Sequence, residues 1–328
     1  MIRRRGACTS VAAMLAAPRL VAQTHDVPRV VFLALARRDV IAANLELLRD
    51  GLRTSGLVEG RTVTVEALYA DGDPARAETL LANALQRRVD VFVASGPAAA
   101  RLILRAAPAT PIVAVGLHPR GGQTDLFASL ARPGGTVTGV STFGEHLAAK
   151  RVQLLIEVVP KLSRVGVVHT ATDPLFRRWG EETEQEVKAQ GLTATRLGLA
   201  SPDPEAAAAR IRNARAEGVQ ALVIVRDFLT LALRDPIVRA AREAGIATIG
   251  DERLWPEAGA LMSYGANTRE VYRLAAAYVV RILAGARPAE LPIEQVTRFE
   301  LVLNLRTATV LGLKLPRTLL LLADEVIE

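Results

Sequence analysis

Residues 89–118 read VDVFVASGPAAARLILRAAPATPIVAVGLH. An apolar run, 89–94, enters Ser95-Gly96-Pro97. A helix-forming stretch continues to residue 106, and a second apolar run, 111–115, stops at Gly116. Strands so uniformly apolar are buried on both faces, as in a parallel sheet covered by helices. On such sheets ligands sit beyond the carboxyl ends of the strands. Ser95 stands at that end, and Pro97 suits the first turn of a helix, where its missing N–H leaves no bond unmade. The free N–H groups of that turn, with the serine hydroxyl, suit a carboxylate or another anion. A plain N-cap serine explains the same residue.

Upstream, residues 29–36 form a strand. Residues 39–55 follow as a helix with Ile41, Leu45, Leu48 and Leu52 on one stripe. A strand at 62–69 and a helix at 74–87 lead back to residue 89, giving a βαβαβαβ series with right-handed crossovers and a parallel sheet. A polar break at 119–125, a short helix at 126–130, a strand at 137–140 and a helix at 143–159 come next. The alternation then restarts: strands at 164–169, 193–197, 221–225 and 246–249, and helices at 174–190, 204–217 and 229–244. A strand at 259–264 precedes Asn267 and Glu270, spaced as a capping box, and a helix that runs to Gly285. The tail offers a strand at 299–303, a short helix from Arg306, and the segment 319–327. The expected fold is α/β with two lobes. Residues 28–142 plus about 265–290 make lobe one and 143–264 make lobe two. Residues 291–328 form a return crossing and C-terminal segment without a settled lobe.

The chain has 328 residues and a formal charge of +7, of which Arg3, Arg4, Arg5 and Arg19 supply more than half. The basic excess is therefore concentrated in residues 1–22, which read as a signal peptide: three arginines, a short apolar stretch at 6–17, and Leu20-Val21-Ala22 before a cut near Ala22/Gln23. This predicts an exported, periplasmic chain. Cys8, the single cysteine, would leave with the leader, so no disulfide is expected. No basic–aromatic cluster points to nucleic acid.

The sequence offers little for catalysis. His25, His118, His146 and His169 are widely spread and form no HExxH pair. No GxGxxG follows the first strand, no P-loop is present, and Ser95-Gly96 lacks the GxSxG context. The reading is no enzyme, no cofactor and no metal. Candidate binding residues are those at strand ends. Arg37 and Arg38 follow the first strand and can pair with a carboxylate or stand solvated. His118 follows the fourth. Thr142 and Phe143 follow the linking strand. Asp173 and Phe176 follow the first strand of lobe two, where Phe176 stacks on a ligand ring or covers the sheet. Asp227, in Arg226-Asp227-Phe228, holds an ammonium group or caps the next helix. Tyr264 sits at an inter-lobe crossing, as a ligand contact or as hinge packing.

Several segments in order resemble the ABC-transporter substrate-binding proteins related to the tryptophan/tyrosine-type periplasmic binding proteins. They are LRTSGLVEG (52–60), VDVFVASGP (89–97), LFASLARPGGTVTGVS (126–141), AAKRVQLLIEVVP (148–160), GALMSYG (259–265), FELVLNLRTATVLGLKL (299–315) and ADEVIE (323–328). The resemblance implies a type I periplasmic-binding-protein-like fold, two Rossmann-like lobes joined by a multi-strand hinge. It implies a small solute captured by closure and passed to an ABC permease in the inner membrane. It puts Ser95, Gly96, Pro97, Tyr264 and Arg226–Phe228 at the cleft. The expected solute is a small carboxylate, aromatic acids and amino acids among the options. Relatives often carry Gly-Asp-Pro after the fourth strand, whereas this chain has Gly116-Leu117-His118-Pro119-Arg120-Gly121-Gly122. The missing acid suggests a solute without an amino group. The other reading is a sensing module of a regulatory or signalling system. A transcription regulator of that kind needs a DNA-binding segment before the first lobe, and residues 1–27 are too short for one.

Overall fold

The structure is a computed structural model that describes residues 27–118, 125–142 and 147–328. The proposed leader, its cleavage point, Phe143 and most of the polar break after His118 lie outside the described residues.

The first sheet grows from β1 (Arg29–Ala34), α1 (Arg38–Thr54), β2 (Thr64–Tyr69), α2 (Pro74–Ala84), β3 (Val91–Ser95), α3 (Pro97–Ala106), β4 (Ile112–Leu117) and β5 (Val137–Ser141). The second grows from α4 (Leu147–Val158), β6 (Arg164–Thr170), α5 (Pro174–Ala189), β7 (Thr193–Leu199), α6 (Pro204–Ala216), β8 (Ala221–Ile224), α7 (Phe228–Ala232), α8 (Arg234–Glu243), β9 (Ala247–Gly250), α9 (Leu254–Glu257) and β10 (Met262–Ala266). The chain then returns through α10 (Thr268–Leu283) and β11 (Glu294–Gln295). It finishes with β12 (Phe299–Asn304), α11 (Leu305–Val310), α12 (Arg317–Leu322) and β13 (Glu325–Ile327).

Strand order is β11-β5-β4-β3-β1-β2 in one sheet and β13-β12-β10-β9-β8-β6-β7 in the other. Every pairing is parallel except β10 with β12. The sheets thus form two α/β lobes of the type I periplasmic-binding-protein kind. The segment that the sequence left without a lobe divides: β11 joins the first sheet, and β12 and β13 join the second. α10 packs along α1 and against β3, β4 and β5. Chain passes between the sheets after β5, after β10 and after β11, a hinge of several strands.

Two local expectations fail. No helix forms at 126–130. The Ser129 hydroxyl donates to the Arg132 carbonyl and accepts from its N–H, closing a turn just before Pro133. The helix expected at 229–244 is two helices, α7 and α8, broken at Leu233. Pro236 lacks an N–H and crowds the carbonyl four residues back, that of Ala232, so α7 cannot run on.

Candidate functional site

The carboxyl ends of the two sheets face each other across a cleft with a cavity volume of ≈ 370 Å³, within the usual range for small-molecule sites. The wall of the first lobe is built by β3 and α3. β3 is buried almost throughout, so its end is fixed by the core. Gly96 then takes φ +103° and ψ 161°, a conformation essentially reserved for glycine, and turns the chain directly into α3. No side chain caps α3, and Pro97 has no N–H to offer. The N–H groups of Ala98 and Ala99, both lining the cleft, are therefore left to face it. Ser95 lies beside them, its Oγ 3.4 Å from the hydroxyl of Tyr272, and burial raises the pKa of that phenol.

The facing wall comes from the second lobe. Phe176 and Trp179 of α5 meet edge-on at 5.4 Å, and Phe228 meets Phe176 at 5.9 Å. All three line the cleft. The base carries charge. Arg226 Nε lies 3.3 Å from Glu252 Oε1 and 4.0 Å from Asp251 Oδ2. Burial works to lower the Arg226 pKa, but Glu252 and then Asp251 outweigh it and hold the guanidinium above its ordinary value. Burial pushes the Glu252 carboxyl up to about 7 against the pull of Arg226. These acids are set by a close backbone approach: a Cβ on Gly265 of β10 would sit 1.8 Å from the Asp251 carbonyl oxygen.

Asp227 is fully inside. Its carboxylate caps α7 through the Thr230 N–H and accepts the Thr170 N–H at 3.0 Å. Burial raises it to about 6, against those hydrogen bonds. Arg151, also lining the cleft, donates from Nε to the Tyr264 carbonyl at 2.7 Å. Among the described lining residues, Glu182, Glu186, Asp227, Asp251 and Glu252 stand against Arg151 and Arg226. Acidic groups outnumber basic ones among these described lining residues.

Ser95, Gly96, Pro97, His118, Thr142, Phe176 and Asp227 are thus brought together around one cavity. Arg37, Arg38, Asp173 and Tyr264 are not among its lining. Arg37 turns outward and binds its neighbour Asp39, with Nε 3.0 Å from Oδ1. Arg38 is exposed at the start of α1. Asp173 spends its carboxylate on capping α5 through the Leu175 N–H. The Tyr264 ring packs on Phe299, centroids 6.1 Å apart, because β12 pairs with β10 and puts Phe299 at that edge. Phe143 lies outside the described residues.

The sequence reading passed over Tyr272, Glu252, Arg151 and Trp179 as site residues. Tyr272 sits one turn into α10 with Thr268, on the face that a 3.6 period turns to the cleft. Trp179 follows Phe176 by three residues, which places both on one face of α5. That spacing was a readable signal. Nothing local marks Glu252, which reaches the site because β9 pairs in parallel with β8, whose end carries Arg226.

Residues 13–327 match the family described as ABC transporter substrate binding protein. Among solved structures, a conserved domain protein of Vibrio cholerae has 24% identity and a TM-score of 0.83, over 92% of this chain and 100% of that one. An ABC domain of Streptococcus pneumonia, solved in complex with L-Trp, has 21% identity and a TM-score of 0.83 over the same shares. CD0873 of Clostridium difficile, a substrate-binding protein with adhesive properties in a ligand-free, open structure, has 19% identity and a TM-score of 0.66, over 92% of this chain and 99% of that one. These likenesses concern the fold. No curated protein matches the chain significantly.

Proposed function

The chain belongs to the ABC transporter substrate-binding protein family, and from that premise we propose that it captures a small carboxylate-bearing, aromatic solute by closing its two lobes. The solute is then delivered to an ABC permease in the inner membrane, and the chain works in the periplasm after export. The reading rests above all on one observation: the uncapped start of α3, with Ser95, faces the aromatic wall of α5 across a single cavity.

The carboxylate sits at the Ala98 and Ala99 N–H groups and the Ser95 hydroxyl, where the helix dipole favours negative charge. The ring lies against Phe176, Trp179 and Phe228, where offset or edge-on contacts add to apolar burial. A protonated amine completes the solute. The acid that the loop after β4 lacks has substitutes in Asp227 and Glu252, and a bound cation relieves the penalty that burial imposes on both. This favours an aromatic amino acid over the amine-free acid that the loop sequence suggested, and the neighbour solved with L-Trp points the same way. No covalent step is needed: ligand bridging the lobes shifts the population toward the closed form.

A thermal-shift screen tests this on protein unfolded and refolded to strip carried-over solute. The panel holds aromatic amino acids, their deaminated acids, short dicarboxylates, sugars and nucleosides. The aromatic amino acids should raise Tm by several degrees, since ligand binding to the native state stabilises it by mass action. A rise with sugars or nucleosides alone overturns the solute assignment.

A further inference from the structure

The lobes touch at places other than the hinge, several of them at residues that also line the cleft. On one flank of the cleft, the ring of His118, at the end of β4, stacks on Trp179 of α5 with centroids 5.1 Å apart and planes 28° apart. Nε2 of the same histidine lies 3.5 Å from Glu182 Oε2, one helical turn further along α5. His118 is 2% exposed, with the Trp179 ring over one of its faces. On another flank, past β2 and α7, a Cβ built on Gly72 would lie 3.4 Å from the Cβ of Ala232. Between them, Phe228 of α7, a residue of the second lobe, packs against an apolar cluster of the first lobe and against one that contains residues of both.

We propose that these contacts form an interlock that holds the cleft shut, with the His118–Trp179 stack as its principal bond. The proposal rests on the closure in the functional reading above, but it does not depend on which solute is captured. A face-to-face stack across two separate bodies contributes only when both bodies are in place. Its stabilisation is therefore a differential between closed and open forms, which is what shifts such an equilibrium. Aromatic pairs are worth ~0.5–1.5 kcal/mol beyond their area, or roughly a two- to thirteenfold bias toward the closed form. The same factor would appear in the affinity for any solute that needs closure. The Gly72–Ala232 approach supplies the register: two small residues let the rims meet without a gap or a clash.

Because the interlock joins parts of one chain, it can be tested without a solute. The chain holds one cysteine, Cys8. In a full-length Cys8→Ser background, Gly72→Cys and Ala232→Cys would put two thiols at the rim contact; Gly72 lies at φ +84°, where a cysteine is strained, and every variant of the series carries that same strain. A Cβ separation near 3.4 Å is at the short edge of disulfide geometry, roughly 3.5–4.5 Å. Under mild oxidation the pair should form an intramolecular disulfide, seen as faster migration on a non-reducing gel and loss of both free thiols. Adding Trp179→Ala should slow the cross-linking roughly two- to thirteenfold, and so should His118→Ala. Single-cysteine variants and circular dichroism verify that each chain is folded and that both thiols are reactive. A folded double variant that never cross-links overturns the closed geometry. Cross-linking at an unchanged rate in both Trp179→Ala and His118→Ala overturns the interlock while leaving solute binding intact. Failure of the solute screen with normal cross-linking would count against the functional reading alone.

Discussion

Arg226 and Glu252 stand 3.3 Å apart at the base of the cleft, one at the end of β8 and the other just past β9. They are neighbours because β8 and β9 pair in parallel, so the ends of both strands reach the same depth. The arginine keeps its charge, and burial drives the glutamate toward neutrality.

The raised Glu252 pKa fixes a sign for stability against pH. A carboxyl that holds its proton longer in the folded state than in the unfolded chain favours folding most at low pH. That advantage is lost as pH rises through the folded value. Between the ordinary value of 4.5 and about 7, Glu252 should therefore make Tm fall with rising pH. Glu252→Gln should flatten that part of the Tm–pH profile and differ little in slope below pH 4. An unchanged slope between pH 5 and 7 would show that Glu252 does not titrate there.

Asp227 and Glu252 both bear on binding. A solute ammonium beside Asp227 or Glu252 favours their ionised forms, so affinity for an aromatic amino acid should increase from pH 5 to pH 8. The deaminated analogue should bind more weakly and gain nothing over that range. Equal binding of the pair at every pH would remove the amine from the account and restore the amine-free acid.

Gly96 joins β3 to α3 at φ +103°. Gly96→Ala should cost ~1–3 kcal/mol of stability and weaken solute binding, because the start of α3 must shift. Gly135 has an ordinary backbone and open space around it, and Gly135→Ala should stay within about 0.5 kcal/mol of the parent. Chemical denaturation of both variants checks the contrast.

Phe176 is 2% exposed and both packs the second lobe and lines the cleft. Phe176→Leu keeps most of the volume and should cost less than about 1.5 kcal/mol of stability. It removes the ring edges shared with Trp179 and Phe228. Affinity for an aromatic solute should fall roughly two- to thirteenfold, following the ~0.5–1.5 kcal/mol worth of an aromatic pair. Affinity for an aliphatic amino acid should change less, and titration calorimetry separates the two.

Much of this was legible in the chain. The apolar runs of β1, β3, β4, β6 and β8 announced buried parallel strands, and strand-end logic found Ser95, Gly96, Phe176 and Asp227 at the cavity. Its failures have physical causes. Strand-end position does not set side-chain direction: Arg37 had a closer partner in Asp39, and Asp173 was needed as a cap. Tyr264 faces Phe299 because of an antiparallel pairing, β10 with β12, that no local pattern encodes. Glu252 and Tyr272 come to the cleft through sheet order and a returning helix. The break at Leu233 could have been read from Pro236, whereas the turn at Ser129 depends on hydroxyl bonds that spacing does not reveal.

A crystal structure of the chain with the solute that the thermal-shift screen selects would test the central claim most directly. That solute should lie in the cleft, its carboxylate on the Ala98 and Ala99 N–H groups and Ser95, and its ring against Phe176 and Trp179. Its amine should lie within reach of Asp227 or Glu252. A solute bound elsewhere, or one whose carboxylate turns away from α3 toward Arg226, would contradict it.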